Sequence, residues 1–284
     1  MNILEARRVM TPEDATKVVG SSVPELEPTA GMTPDTVVRD ADNGKAVLGY
    51  FALKDPTALR RAVMTIDCSG GVQRQKNYRS RSRTFGYAPR RPVTRRESCS
   101  ATSLNVEQPE IGSLLETYAD QFSAMLDAID PAIIPRDLAT LSTVLPDWRM
   151  GESKLWTSGV VNDTAALPYH RDGFNFATWS AMPVVRRGVR GGSLHLPEYD
   201  IVIPCDDSTV TLFKGFEYVH GVTPIRRVKK DEGYRISVVY YALRGMKNCR
   251  EAAEEAAYGR LRRTEREEAM ARRLAAGDRG VPGK

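Results

Sequence analysis

Three side chains that bind transition metals fall within one stretch of the chain. His170 and Asp172 stand two residues apart in PYHRDGFN, and His220 follows Asp172 after 48 residues, in FEYVHGVTP. In an extended segment, residues i and i+2 point to the same side, so His170 and Asp172 can face one atom. The strand-like runs between them and His220 are long enough to place it on another strand of a folded-back sheet. Two imidazoles and one carboxylate hold one face of a metal and leave the opposite face open, a donor set suited to non-haem Fe(II) and oxygen chemistry. The chain has 3 histidines, so two of them fall where such a site needs them. The third, His195, has neither the spacing nor the motif and reads as a strand residue.

A lone His-x-Asp is more often a surface hydrogen-bonded pair, so a second, independent feature matters. Arg235 and Ser237 stand two apart in GYRISVVYY, an otherwise apolar strand where an arginine needs a partner. A guanidinium fork with a hydroxyl beside it suits the carboxylate of a small co-substrate such as 2-oxoglutarate. Counting by twos puts Tyr241 on the same face, as a pocket wall or a core aromatic.

At these residues the chain resembles the TET/JBP family of Fe(II)/2-oxoglutarate-dependent DNA 5-methylpyrimidine dioxygenases, which includes bacteriophage-encoded members. The family's metal motif is H-x-D-x-x-N, matched by His170-Arg171-Asp172-Gly173-Phe174-Asn175. Its closing strand has R-I-S, then a tyrosine and a histidine that hold the base. Here Arg235-Ile236-Ser237 and Tyr241 match, and Leu243 stands in the histidine's place. The resemblance spans about 155–243, with the arginine-rich segment before it. It implies His170, Asp172 and His220 as iron ligands and Asn175 and Tyr241 as base contacts. An arginine from the amino-terminal part also helps hold 2-oxoglutarate in the family, a role assigned here to Arg83 in SRTFGY. The implied cofactors are Fe(II) and 2-oxoglutarate, with molecular oxygen as co-substrate. The implied reaction converts 5-methylcytosine in DNA to 5-hydroxymethylcytosine, on a flipped or single-stranded base. Leu243 leaves open thymine in DNA, RNA or a free nucleotide with the same iron site. A cupin-like protein that binds nucleic acid without catalysis is the non-enzymatic alternative, and it has no need of an intact triad and Arg-x-Ser.

The elements that must position these residues are mostly strands. Eight short strand-like runs between Leu155 and Leu243, broken by turns, fit a double-stranded β-helix, the jelly-roll shared with cupins. SLHLPEYDIVIP among them reads as a hairpin. Before this core, Pro109 to Ile129 carries apolar residues at 3–4 spacing with Pro109 at its first position, an amphipathic helix that buttresses the sheet. Arg136 to Leu145 reads as a second short helix. Ala46–Leu53 and Ala62–Asp67 read as strands, Pro12-Glu13-Asp14 as a helix start, and Pro24 to Pro34 as loop. The expected fold is mainly β with flanking helices. Its expected divisions are an amino-terminal extension over 1–60, the basic segment and supporting helices over 61–150, the dioxygenase core over 151–245, and a charged helix and tail over 250–284.

The 284 residues are 41% hydrophobic and 27% charged, enough for one large core. No apolar run approaches a membrane span, and MNILEARR has no signal-peptide pattern, so the chain reads as cytoplasmic. The four cysteines, Cys68, Cys99, Cys205 and Cys249, are scattered and read as reduced thiols. The net charge of +5 is concentrated: from Arg74 to Arg96 there are nine Lys/Arg and no acid, interleaved with Tyr78, Phe85 and Tyr87. Such a segment offers phosphate contacts and stacking faces for nucleic acid, although charge runs are also simply solvated. The Arg186–Arg190 loop is basic as well, with both readings open.

Overall fold

The computed structural model describes residues 1–70, 72–73, 79–91, 96–229 and 232–276, with the side chains of 72, 73 and 79 left aside. Its main element is a nine-stranded sheet. In spatial order its strands are Asn2–Ala6, Thr36–Asp40, Ala46–Ala52, Thr209–Phe213, Ser180–Arg187, Tyr234–Tyr241, Ser158–Asp163, Ser82–Ala88 and Ser100–Ala101. A three-stranded sheet of Ile201–Ile203, Leu194–Leu196 and Gly221–Val222 lies against one face of it.

Period two along Tyr234–Tyr241 explains the layering. Ile236, Val238 and Tyr240 share a buried cluster with the helix Pro109–Ile129, which contributes Leu115, Tyr118, Phe122, Met125, Leu126 and Ile129. Tyr240 sits at the centre of that cluster, with its ring 5.0 Å from both Phe85 and Phe122. Its hydroxyl donates to the Leu115 carbonyl at 2.8 Å, so the buried phenol is satisfied. The opposite face of the sheet presents Met182, Val184, Phe213, Leu48 and Tyr50 to Leu194, Leu196, Ile201, Ile203 and Val222 of the small sheet. Two sheets packed over one core, with helices on the outer face of the larger, make the expected jelly-roll core with flanking helices.

Several expectations hold in detail. The long helix runs over Pro109–Ile129, and SLHLPEYDIVIP is an antiparallel pair with His195 opposite Val202. Pro12–Lys17 is a helix, and Ala252–Ala275 is a helix whose single buried residue is Glu255.

Others are corrected. Residues 1–60 are built into the core, since three of the nine sheet strands come from them. Ala62–Asp67 does not form a strand. Pro56–Met64 is a helix that buries Leu59, Ala62 and Val63, and the i, i+3, i+4 spacing outweighs the apparent apolar run. The second short helix is Ile133–Thr140, starting earlier than expected because the Asp130 carboxylate accepts from the Ala132 amide at 2.9 Å. Among the described residues, no helix is long and apolar enough to cross a membrane.

The cysteine expectation also fails. Cys99 and Cys249 form a disulfide that closes a separation of 150 residues, while Cys68 and Cys205 are buried and free. Reduced thiols are therefore confined to Cys68 and Cys205. Around the bridge, the wholly buried Glu255 accepts from the Cys99 amide (2.8 Å), the Arg250 amide (2.9 Å) and the Arg90 guanidinium (2.8 Å). Titration under non-reducing, denaturing conditions should find two thiols of four. Replacing Cys99 and Cys249 by serine should lower unfolding free energy by about 2–5 kcal/mol, read from denaturant melts.

Candidate metal centre and co-substrate pocket

The metal-ligand candidates are set by a backbone pairing. His170 and His220 face each other across an antiparallel bridge, each amide donating to the other's carbonyl at 2.9 Å. Val222 donates to Leu167 at 2.8 Å, so 167–170 continues the small sheet beside Gly221–Val222. The rings lie 4.3 Å apart, centroid to centroid. Asp172 follows in a turn, not a strand; its amide donates to the Gly215 carbonyl at 2.9 Å. His170 Nε2 lies 3.7 Å from Asp172 Oδ1, and His220 Nε2 lies 4.0 Å from Asp172 Oδ2. One donor atom from each residue fits within a 4.8 Å span.

The outer nitrogens fix the tautomers. His170 Nδ1 lies 2.8 Å from the Pro168 carbonyl and His220 Nδ1 lies 3.0 Å from the Tyr218 carbonyl. Each Nδ1 carries the proton toward its carbonyl and leaves Nε2 as a free lone pair. Burial, with His170 close by, pushes His220 down to about 4, so its imidazole is neutral near pH 7. These donors fit Fe(II).

Below them lies a residue that spacing and motif passed over. Glu198, fully buried, accepts from the Arg171 guanidinium at 3.0 Å and from the Val219 amide at 3.2 Å. It thereby ties together the two segments that carry the ligands, and Arg171 points away from the metal side toward the carbonyl of Pro12 and Thr16 Oγ1. Gly215 is equally constrained, since a Cβ there would meet Asp172 Oδ2 at 2.3 Å. A buried Glu in LPEYD was the one available sequence signal.

On the central strand, Arg235 and Ser237 share the inner face with Val239 and Tyr241 by period two. Arg235 is 1% exposed, and its Nε and Nη2 have no hydrogen-bond partner. Burial lowers its pKa, and Arg186 stands directly opposite on the neighbouring strand. A buried guanidinium with orphan donors and a like charge across the ladder is costly without an anion. Ser237, 3% exposed, stands beside it on the same strand face. Gly192 cradles the guanidinium stem, where a Cβ would meet Arg235 Cδ at 2.6 Å. The unmatched donors suit a carboxylate such as that of 2-oxoglutarate.

Asn175 is 6% exposed and bridges Leu243 in antiparallel fashion, which brings it to the Tyr241 end of the strand. Its backbone amide donates to the Asp172 carbonyl at 2.9 Å. Arg83 is not brought to this group. It pairs across the sheet with Val161, on the helix-covered face, and its guanidinium is bound to Glu107. One residue of register decides this, because neighbours on a strand face opposite sides. His195 also lies apart, its Nδ1 2.6 Å from the Tyr169 hydroxyl and its Nε2 3.3 Å from Asp200.

The basic segment is largely neutralised where it is described. Arg81 pairs with Asp163 at 2.8 Å, Arg83 with Glu107, and Arg90 with Glu255. Arg74, Lys76, Tyr78 and Arg95 lie outside the described residues.

No family model matches the sequence, and no curated protein matches it. Among solved structures, the chain is similar to NgTET1 in complex with 5mC DNA, at 18% identity and a TM-score of 0.54, covering 87% of this chain and 84% of that one. It is also similar to a 2OG-Fe(II) oxygenase family protein from Caulobacter crescentus (11% identity, TM-score 0.42, 77% and 89% covered). A 2OG-Fe(II) oxygenase family oxidoreductase from Burkholderia pseudomallei follows at 11% identity and 0.36, with 68% and 82% covered. The likeness to NgTET1 shows a shared fold.

Replacing His170, Asp172 or His220 by alanine should abolish Fe(II) binding in a metal titration while the circular dichroism spectrum stays native, whereas His195→Ala should bind metal like the parent. Stoichiometric, undiminished binding by any of the three triad variants would remove the assignment. Gly215→Ala, by crowding Asp172, should weaken the metal without unfolding the chain.

Proposed function

We propose that this protein is an Fe(II)/2-oxoglutarate-dependent dioxygenase that hydroxylates the 5-methyl group of a pyrimidine in DNA, with 5-methylcytosine as the first candidate. The observation that carries the reading is the pairing of a His-Asp-His donor set with a buried guanidinium, two of whose nitrogens are unmatched, inside the same jelly-roll. A module that only binds nucleic acid would have no reason to keep Arg235 desolvated and unmatched. Fe(II) and 2-oxoglutarate, when bound, supply an oxidant that turns a methyl C–H into C–OH, with dioxygen consumed and the co-substrate leaving as succinate and carbon dioxide.

The chain's own residues supply position and exclusion of water. His170, Asp172 and His220 would hold the metal on one side, their Nε2 and carboxylate oxygens preset by the carbonyls of Pro168 and Tyr218 and by the Gly215 carbonyl. Arg235 and Ser237 would anchor the distal carboxylate of the co-substrate. Arg235→Ala should therefore raise the 2-oxoglutarate requirement by about 2–5 kcal/mol in binding free energy, measured as apparent KM in a succinate assay. An unchanged requirement would mean that another residue anchors it.

Tyr241 and Asn175 would hold the base, the ring by stacking and the side-chain amide by its donor and acceptor. A methyl inside a duplex cannot reach the iron, so the base must leave the stack or the strand must be single. The neighbour with the same fold was solved with 5mC DNA, which supports a DNA substrate. Leu243, in the place of a histidine, leaves Asn175 to read the base edge. An amide can turn to serve cytosine or thymine, so thymine in DNA and free nucleotides are the competing substrates. Succinate formation coupled to nucleoside mass spectrometry on 5-methylcytosine DNA, thymine DNA and the free nucleotides separates them. We expect 5-hydroxymethylcytosine from the first; succinate without any oxidised pyrimidine would overturn the DNA reading.

A further inference from the structure

Immediately after Asp172 the chain makes a tight turn, and Phe174 at its tip is 77% exposed, the most exposed large hydrophobic among the described residues. Isolated surface hydrophobics are common and need no explanation. This one is unusual in how its backbone is held. The Asn175 amide donates to the Asp172 carbonyl at 2.9 Å, and the Phe174 carbonyl accepts from the Arg244 amide at 3.0 Å. The Gly173 carbonyl accepts from the Arg244 guanidinium, and the Phe176 amide donates to Ala242 at 2.8 Å. A mobile loop tip would lack such bonds. Here a fixed backbone presents an apolar ring to water, two residues from a metal ligand and one from Asn175.

The surroundings are cationic. Arg244 is exposed and lies over the Phe216 ring at 5.5 Å, and Lys247 is exposed on the same short helix, Arg244–Asn248. That helix follows directly on the strand carrying Arg235, Ser237 and Tyr241. A rigid aromatic flanked by cations matches a duplex from which one base has been removed: the ring takes the vacated space in the stack, and the cations meet the adjoining phosphates.

We propose, resting on the DNA reading above, that Phe174 is the positioning wedge that enters the duplex as the target base leaves it, with Arg244 and Lys247 on the flanking backbone. Unstacking costs a few kcal/mol on a paired base and little on a single strand. The wedge therefore matters only where the base is paired.

The test compares Phe174→Ala and Phe174→Leu with the parent on three substrates: a paired duplex, the same strand alone, and a duplex with an abasic site opposite the target. Phe174→Ala should lower kcat/KM on the paired duplex by about tenfold or more, corresponding to at least about 1.4 kcal/mol. It should stay within about twofold on the other two substrates, and Phe174→Leu, still apolar, should recover most of the loss. Equal losses on all three substrates, or no loss on any, would overturn the proposal. A readout without turnover is the fluorescence of 2-aminopurine at the target position in duplex, which should rise with the parent protein and not with Phe174→Ala. If the parent unstacks 2-aminopurine yet oxidises no pyrimidine, the dioxygenase reading fails and the wedge stands. If it oxidises single strands but neither unstacks nor oxidises a duplex, the wedge fails and the dioxygenase reading stands.

Discussion

The paired amides and carbonyls of His170 and His220 hold two imidazoles 4.3 Å apart, and the geometry of the site follows from that contact. Neither side chain could be placed so closely by a flexible loop without a large entropic cost. Pairing removes the backbone freedom at both residues together, and carbonyls two residues upstream of each histidine then fix the ring tautomers. Asp172 needs only one further bond, to Gly215, to complete the set. Gly215 and Glu198 show how little slack remains. One position admits no Cβ, and the other spends a buried carboxylate on tying the two ligand segments together.

Charge inside the core divides into two kinds. Glu198 and Glu255 are buried and matched by guanidinium groups and backbone amides, so they lock segments together. Arg235 is buried with two of its donors unmatched and Arg186 opposite. A net of unmet hydrogen bonds of this kind is destabilising for the folded chain alone and becomes favourable when an anion enters. Stability is thus given up at a position where a bound carboxylate would recover it.

The surface tells a different story from the composition. A segment with nine cations and no acid looks like a ready phosphate track, yet three of its arginines are paired with acids from elsewhere in the fold. The exposed cations beside the metal turn, Arg244 and Lys247, do not stand out in the sequence because they are isolated there. Folding, by bringing Arg244–Asn248 against the turn after Asp172, makes a local basic and aromatic rim from residues about seventy positions apart.

The sequence alone determined what repeats with a short period or sits in a short motif. The 3–4 stripe of Pro109–Ile129, the alternation that sends Arg235 and Ser237 one way and Ile236 and Val238 the other, and the His-x-Asp and Arg-x-Ser pairs all depend on near neighbours. Tertiary structure decided whatever depends on partners far along the chain. Strands Asn2–Ala6 and Thr36–Asp40 are short and weakly patterned, and they are strands because Ala46–Ala52 and its neighbours offer unpaired edges. Arg83 and Arg90 face acids, and Cys99 meets Cys249 across 150 residues, because of register and packing that no local window contains. The triad shows both halves: spacing named its three residues, while only the pairing of two distant segments put their donor atoms within reach of one ion.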